Sequence, residues 1–272
     1  MADDQDPGNQ RPLAHSLGEV RDLHQLCREG RLYDVDRWIT EGKPLQISPQ
    51  ALPKRVHPKT ALEIALETGQ HSLTALLLSR GYRQELERYR PLELALRTRR
   101  WDLFDLLLEW GGDLMSVDVH TVLDTYNVAL YERFMASGYD LTAHHAMASI
   151  LGHGASNRPL YGFAKRYRSE DPQIQRELNL ALGYHVAEGN EKGVALCLWA
   201  GADPHARAAE DESPEVGEEG WSALEAAAHY GHLAILKRFN PASDRDDFES
   251  LYTMPSQSPL FRFLQPSSPR NN

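Results

Sequence analysis

Apolar residues along this chain come in paired short bursts. In residues 60–81, TALEIALETGQHSLTALLLSRG, Leu62, Ala65 and Leu66 share one face of a first helix. A glycine, Gly69, interrupts the pattern, and Leu73, Leu76, Leu77 and Leu78 cluster on a second helix. Gly81 closes the unit, as suits the left-handed conformation that commonly follows a helix end. The spacing predicts a helix–turn–helix unit with one apolar side.

The same frame recurs. RPLELALRTRRWDLFDLLLEWGGD (90–113) repeats it 30 residues on, matching Leu62 with Leu92, Ala65 with Ala95 and Gly81 with Gly111. LALGYHVAEGNEKGVALCLWAGAD (180–203), RDLHQLCREGRLYDVDRWITEGK (21–43) and WSALEAAAHYGHLAILKRF (221–239) fit it as well. Two weaker copies, 117–140 and 145–167, fill the middle and bring the total to seven. The central break falls at Gly30, Gly69, Arg99, Tyr126, Gly154, Gly189 and Gly231. A single helix pair cannot bury its own apolar face, so side-by-side stacking of the copies is predicted to build one continuous core.

These copies resemble the ankyrin repeat, whose consensus runs roughly T-P-L-H-x-A-A, G-H, a leucine-rich helix and G-A-D. SALEAAAHYGH, ALCLWAGADPHAR and RPLELALRTRRWDLFDLLLEWGGD carry the likeness, which spans about residues 20 to 240. The resemblance implies an all-α ankyrin-repeat solenoid. Its domain would cover 17–243, with disordered tails at 1–16 and 265–272 and a divergent C-terminal capping segment at 244–264. Ankyrin copies repeat at about 33 residues, so 43–59, 168–177 and 204–220 are expected to be insertions. Insertions in such arrays often belong to a binding face.

Composition narrows the function. The chain has 272 residues and a formal net charge of −10. That balance disfavours nucleic acid and anionic membranes, both of which need a positive face. It is compatible with a basic protein partner. Two cysteines, Cys27 and Cys197, cannot make a tetrahedral thiolate site alone and suggest no disulfide framework. A reducing cytoplasm is the simplest expectation. The acidic first residues, MADDQDPGNQRP, do not read as a secretory signal, and no apolar run approaches the roughly 20 residues that cross a bilayer.

Chemistry-bearing residues mostly have scaffold readings. Ser222 with Glu225, and Thr60 with Glu63, have capping-box spacing, in which hydroxyl and carboxylate each satisfy an amide of the first turn. Glu93 follows Pro91 and is placed to favour the positive end of a helix dipole. His24 stands at the same frame position in the first copy. His144, His145 and His153 are the densest histidines, yet no carboxylate or thiol at ligand spacing completes a metal site. There is no nucleophile elbow, phosphate loop or catalytic-cysteine signature, and Ser156 only superficially resembles part of an oxyanion loop. No catalytic residue, cofactor or metal ligand is therefore expected.

Two charged features remain. Glu210, Asp211, Glu212, Glu215, Glu218 and Glu219 form an acidic insertion beside Trp221, His229 and Tyr230. Such a segment is either a solvated loop or a finger that docks on a basic partner and speeds its association. Arg83, Arg88, Tyr89, Arg97, Arg99, Arg100 and Trp101 form an arginine–aromatic cluster of interface composition; alternatively, these arginines pair with neighbouring glutamates. The expectation is a cytoplasmic, noncatalytic protein-binding scaffold, with a monomer favoured. The resemblance further suggests an inhibitor of one dedicated basic protein, of the immunity or antitoxin type. A host-directed effector or adaptor, a regulatory subunit of an enzyme, and an enzyme on an ankyrin scaffold are the alternatives.

Overall fold

The computed structural model describes residues 12–48, 59–80, 90–153, 157–207 and 221–239. Among them every regular element is helical, save for two isolated bridges. Fourteen α-helices fall into seven consecutive pairs, one for each copy of the sequence frame. They are α1 (Leu17–Glu29) with α2 (Leu32–Thr40), α3 (Ala61–Glu67) with α4 (His71–Ser79), and α5 (Pro91–Arg97) with α6 (Trp101–Glu109). Next come α7 (Val119–Leu123) and α8 (Val128–Ala136), then α9 (Ala146–His153) with α10 (Arg158–Tyr167). The last are α11 (Pro172–Ala187) with α12 (Glu191–Ala200), and α13 (Ala223–His229) with α14 (Leu233–Phe239).

The chain divides after Thr125 into two compact units. In the first, α1, α3, α5 and α7 stack in succession, and α2, α4 and α6 do likewise. In the second, α9, α11 and α13 form one row and α8, α10, α12 and α14 the other. Each unit buries its apolar positions between neighbouring pairs. Leu23, Leu62, Leu66, Leu77 and Phe104 are fully buried in the first unit, and Tyr131, Phe134, Tyr161 and Phe163 in the second.

The turns explain why glycine recurs in the frame. Gly30, Gly69, Gly189 and Gly231 all have φ between 67° and 73°, a region costly to side chains with a Cβ. Arg99 and Tyr126 occupy the same frame position and take the same conformation, at φ 55° and 52°. A second requirement adds to the first. A Cβ on Gly30 would lie 2.8 Å from Gln70 Oε1, one on Gly189 would lie 2.9 Å from His232 Cε1, and one on Gly69 would collide with the Arg100 guanidinium. Gln70, Arg100 and His232 each follow the break of the next copy by one residue. Each therefore lies over the turn of the copy before it.

Helix starts follow the capping logic. Thr60 Oγ1 accepts the Glu63 amide at 3.1 Å while Glu63 Oε2 accepts the Thr60 amide at 2.7 Å. Ser222 and Glu225 do the same at 3.2 and 2.8 Å. Glu93 sits in the first turn of α5 as expected, but Arg90 is left-handed and closes no box. Instead Glu93 Oε1 accepts the amide of Asp118 at 3.2 Å.

Two expected boundaries move. Residues 12–16 fall in the expected disordered tail, yet Ala14 is fully buried and forms a parallel bridge with Ile47. Its amide donates to Gln46 O at 2.8 Å and its carbonyl accepts from Ser48 N at 2.9 Å. The expected insertion 168–177 is largely helical, because Pro172–Glu177 opens α11. Residues 1–11, the expected cap at 244–264 and the tail at 265–272 lie outside the described residues.

Candidate binding cleft

α11 is where the repeat departs from its own frame. It has 16 residues, whereas the other first helices have between 5 and 13. Asp171 starts it: its carboxylate accepts the Gln173 amide at 2.9 Å, and Pro172 takes the first helical position, where its missing N–H costs nothing. The added turns carry Pro172, Gln175, Arg176 and Asn179 past the usual helix start.

Those turns build one wall of a cleft of about 200 Å³. Leu180, Gly183 and Tyr184 of the same helix line it too, as do Trp221, Ser222, Ala223 and Ala226 of the last copy. Ala206 and Arg207 line it as well. The wall is braced from behind: Gln175 Nε2 donates to Asn179 Oδ1 at 2.9 Å and to Gly201 O at 3.0 Å, and Asn179 Oδ1 accepts the Asp203 amide at 2.8 Å. Arg207 Nη2 donates to Glu225 Oε1 at 2.6 Å. The capping carboxylate of α13 thus also neutralises a cation at the cleft.

Of the three residues singled out beside the acidic insertion, Trp221 lines the cleft, and His229 and Tyr230 follow it in a row of ring contacts. Trp221 and His229 have ring centroids 4.5 Å apart, His229 and Tyr230 5.2 Å, and Tyr230 and His232 6.0 Å. The result is an aromatic ladder that runs from the residue before the N-cap of α13 to its C-cap, with Tyr230 41% exposed. The acidic residues Glu210, Asp211, Glu212, Glu215, Glu218 and Glu219 lie outside the described residues. Their segment leaves the described chain at Arg207 and rejoins it at Trp221, both of which line the cleft.

The described arginines of the cluster belong to the first unit, and Arg97 and Arg100 are paired within it. Arg90 and Arg97 approach the two oxygens of Glu93 at 3.0 and 3.6 Å. Arg100 grips Asp102 with Nε at 2.9 Å and Nη2 at 2.7 Å, and donates through Nη1 to Gly69 O at 2.5 Å. The guanidinium holds the Asp102 carboxyl down at about 2. Arg100 is thus a strut between copies, and Arg99 is the left-handed turn residue. Trp101 begins α6 and is half-buried. Arg83, Arg88 and Tyr89 lie outside the described residues.

The histidine-rich stretch has a scaffold role that sequence reading missed. His145 Nδ1 lies 2.8 Å from Glu177 Oε1, while Glu177 Oε2 accepts the Ala148 amide at 2.7 Å. His145 and Ala148 occupy the frame positions of Thr60 and Glu63. Glu177, from the following pair, thereby supplies the carboxylate that this copy lacks. Burial pushes its carboxyl above the usual range, opposed by the Ala148 amide and by His145.

A second buried network joins α9, α10, α11 and α12. Tyr161 Oη donates to Leu151 O at 2.8 Å and lies 2.9 Å from His185 Nε2. Asn190 Nδ2 reaches His185 Nδ1 at 3.2 Å. With Asn190 donating to Nδ1, the ring proton resides on Nε2, 2.9 Å from Leu151 O. Burial pushes His185 below its ordinary pKa. Cys27 and Cys197 are both buried, and burial raises their thiols to about 12, which disfavours the nucleophilic thiolate. Among the described residues no three His, Cys, Asp or Glu side chains group as a metal site, and no helix is long and apolar enough to cross a membrane.

No family model matches the chain, and no curated protein matches it. Among solved structures, it is similar to the ankyrin repeat domain of Bcl-3, a unique member of the IkappaB protein family. That match has 18% identity and a TM-score of 0.47, and covers 79% of this chain and 97% of the other. The human ASB11 ankyrin repeat domain is similar at 18% identity and a TM-score of 0.44, covering 79% and 96% respectively. By the helix pairs of its described residues, two of them opened by capping boxes and six turning through a left-handed residue at one frame position, the chain has an ankyrin-repeat fold.

Proposed function

We propose that this protein is a noncatalytic scaffold that holds and inhibits one dedicated basic protein, in the manner of an immunity protein or antitoxin. It works as a cytoplasmic monomer, through the second unit. The observation that carries the reading is the cleft between α11 and α13. It lies where the repeat departs from its frame, Trp221 joins it to the ring contacts of His229 and Tyr230, and Arg207 and Trp221, the described residues on either side of the acidic insertion, both line it. Exposed aromatics around a pocket are the composition of interface hot spots. A net charge of −10 favours and steers a basic partner. The high thiol pKa values and the structural use of Glu63, Glu93, Glu177 and Glu225 leave those groups no part in acid–base or nucleophilic work.

The test is affinity purification of the tagged chain from its own cells, followed by reconstitution with the purified partner. One stoichiometric basic protein is expected, with its activity blocked in the complex and its association slowed by salt. Turnover of a small molecule by the chain alone, with no stoichiometric partner, would refute the reading.

A further inference from the structure

The second helices of the second unit carry a surface that the cleft does not use. Neighbouring helices of this row are linked across their exposed sides. Arg166 of α10 reaches Glu132 of α8 at 2.8 Å, Lys165 Nζ of α10 lies 4.1 Å from the ring centroid of Trp199 of α12, and Arg238 of α14 reaches Glu191 of α12 at 3.6 Å. Glu132 and Glu191 are thus taken up by cations of the row. Arg158, Lys165 and Lys192 are exposed, and among the described residues no carboxylate pairs with them. A chain of net charge −10 is locally positive here.

The cations are spaced. Arg158 and Lys165 are seven residues apart on α10, as are Lys192 and Trp199 on α12. Seven residues make two turns, so each pair shares a helix face about 10 Å apart. The two helices run side by side in one direction: Lys165 meets Trp199 and, further along both, Arg168 lies against Gly201. Arg158 and Lys192 therefore mark one end of the surface, and Lys165 and Trp199 the other. Trp199 is 53% exposed, and an exposed tryptophan among cations has the composition of an interface anchor.

We propose that this face of α10 and α12 binds an acidic segment of a protein partner, with carboxylates on the cations at both ends and an apolar side chain on Trp199. A short segment feels mainly the charges within a Debye length, roughly 8–10 Å. A nucleic acid or an anionic bilayer extends past the face and meets the net −10 of the whole chain. The face thus favours a short acidic segment over an extended polyanion. The cleft lies between α11 and α13 in the other row, so the two surfaces stand or fall separately.

The test uses the full-length chain and three fluorescein-labelled nine-residue peptides, read by fluorescence anisotropy at low salt. EDGEWEGDE has a central tryptophan, EDGEAEGDE replaces it with alanine, and KRGKWKGRK reverses the charges. The tryptophan-centred acidic peptide is expected to bind about fivefold tighter than its alanine counterpart, and the basic peptide to bind weakest. Arg158→Glu with Lys192→Glu should weaken both acidic peptides about tenfold or more; Lys192→Glu alone serves if the pair lowers the melting temperature. Trp199→Gln should erase the preference for tryptophan and leave the acidic binding in place. Acidic binding that ignores the charge reversals, equal binding of the two acidic peptides, or tighter binding of the basic one overturns the proposal. So does tighter binding of labelled oligouridine or of phosphatidylserine vesicles, which would assign the cations to a polyanion. A dimer in sedimentation that the charge reversals abolish assigns the face to a second copy and also overturns it.

Discussion

Glu177 Oε2 accepts the Ala148 amide at 2.7 Å across two neighbouring helix pairs. The carboxylate completes a helix start that its own copy cannot complete. Removing it should leave the Ala148 amide buried without an acceptor, a loss of about 1–3 kcal/mol. Glu177→Ala is therefore expected to lower the urea midpoint clearly, whereas Glu177→Gln, which keeps an acceptor, should lower it less. Equal stability of the alanine variant and the parent would show that the contact contributes nothing.

Arg99 and Tyr126 hold a backbone conformation that glycine adopts at the equivalent position in four other copies. Left-handed φ costs an L-residue roughly 1–2 kcal/mol, and glycine loses about 0.5–1 kcal/mol of that in chain entropy. Arg99→Gly and Tyr126→Gly should each raise stability by about 0.5–1 kcal/mol, read by thermal or urea melting.

Gly42 and Gly69 separate strain from crowding. Both have φ near 70°, but a Cβ on Gly42 meets nothing within 4 Å, while one on Gly69 meets the Arg100 guanidinium. Gly69→Ala should destabilise more than Gly42→Ala. Introducing Arg100→Ala should narrow the gap between them, measured as a double-mutant cycle.

Acid should weaken the fold through buried histidines. His185 is pushed down by burial, and His24 by burial and then by Arg28. The unfolded chain, with histidine pKa of about 6.5, then binds more protons than the folded one. Stability is full above that value and falls as pH drops through it towards the folded pKa. Glu177 acts in the opposite sense, since its raised pKa makes the folded state bind the extra proton. The urea midpoint of a Glu177→Gln variant should fall between pH 7.5 and pH 5.5, and adding His185→Asn should flatten that fall. A flat profile before the second substitution would contradict the histidine assignment.

The charged faces should differ in kinetics. Reversing Glu210, Asp211 and Glu212 should slow association with the partner, and the effect should fade in high salt. Reversing Arg97, Arg99 and Arg100 should leave the association rate unchanged and lower stability instead, because Arg100 bridges Asp102 and Gly69. Stopped-flow rates at two ionic strengths distinguish the two.

The fold is legible because the apolar spacing recurs from copy to copy and glycine marks the central break in five of the seven, so each copy checks the others. Ser222 with Glu225 and Thr60 with Glu63 are local pairs, three residues apart, and their chemistry could be inferred without tertiary structure. The cleft was only half legible. Of its lining, Trp221 stands out in the sequence by its place beside the insertion, whereas Arg176, Tyr184 and Arg207 do not. The missed signal was the Asp171–Pro172 pair, an N-cap followed by a proline at the first helical position, which marks 168–177 as a helix start. Glu177 capping Ala148 joins residues 29 apart in sequence, and no spacing rule reaches that far. In the arginine cluster, composition leaves an interface role and pairing with neighbouring carboxylates both open; Glu93, Asp102 and a backbone carbonyl take up Arg90, Arg97 and Arg100.

The contacts that lie over the turns all run one way. Gln70 covers Gly30, Arg100 covers Gly69 and His232 covers Gly189, and Glu177 likewise serves the copy before it. In each case the later copy finishes the earlier one. A stack built like this has a direction as well as a length. During synthesis the turns at Gly30, Gly69 and Gly189 receive their covers only once the following copy has been made. Trimming a copy from the C-terminal side strips its neighbour of a cover, whereas trimming one from the N-terminal side leaves the next turn still roofed. For the same reason copies cannot be duplicated or exchanged as bare helix pairs; the unit of inheritance is a pair together with the first residue of the turn that follows it.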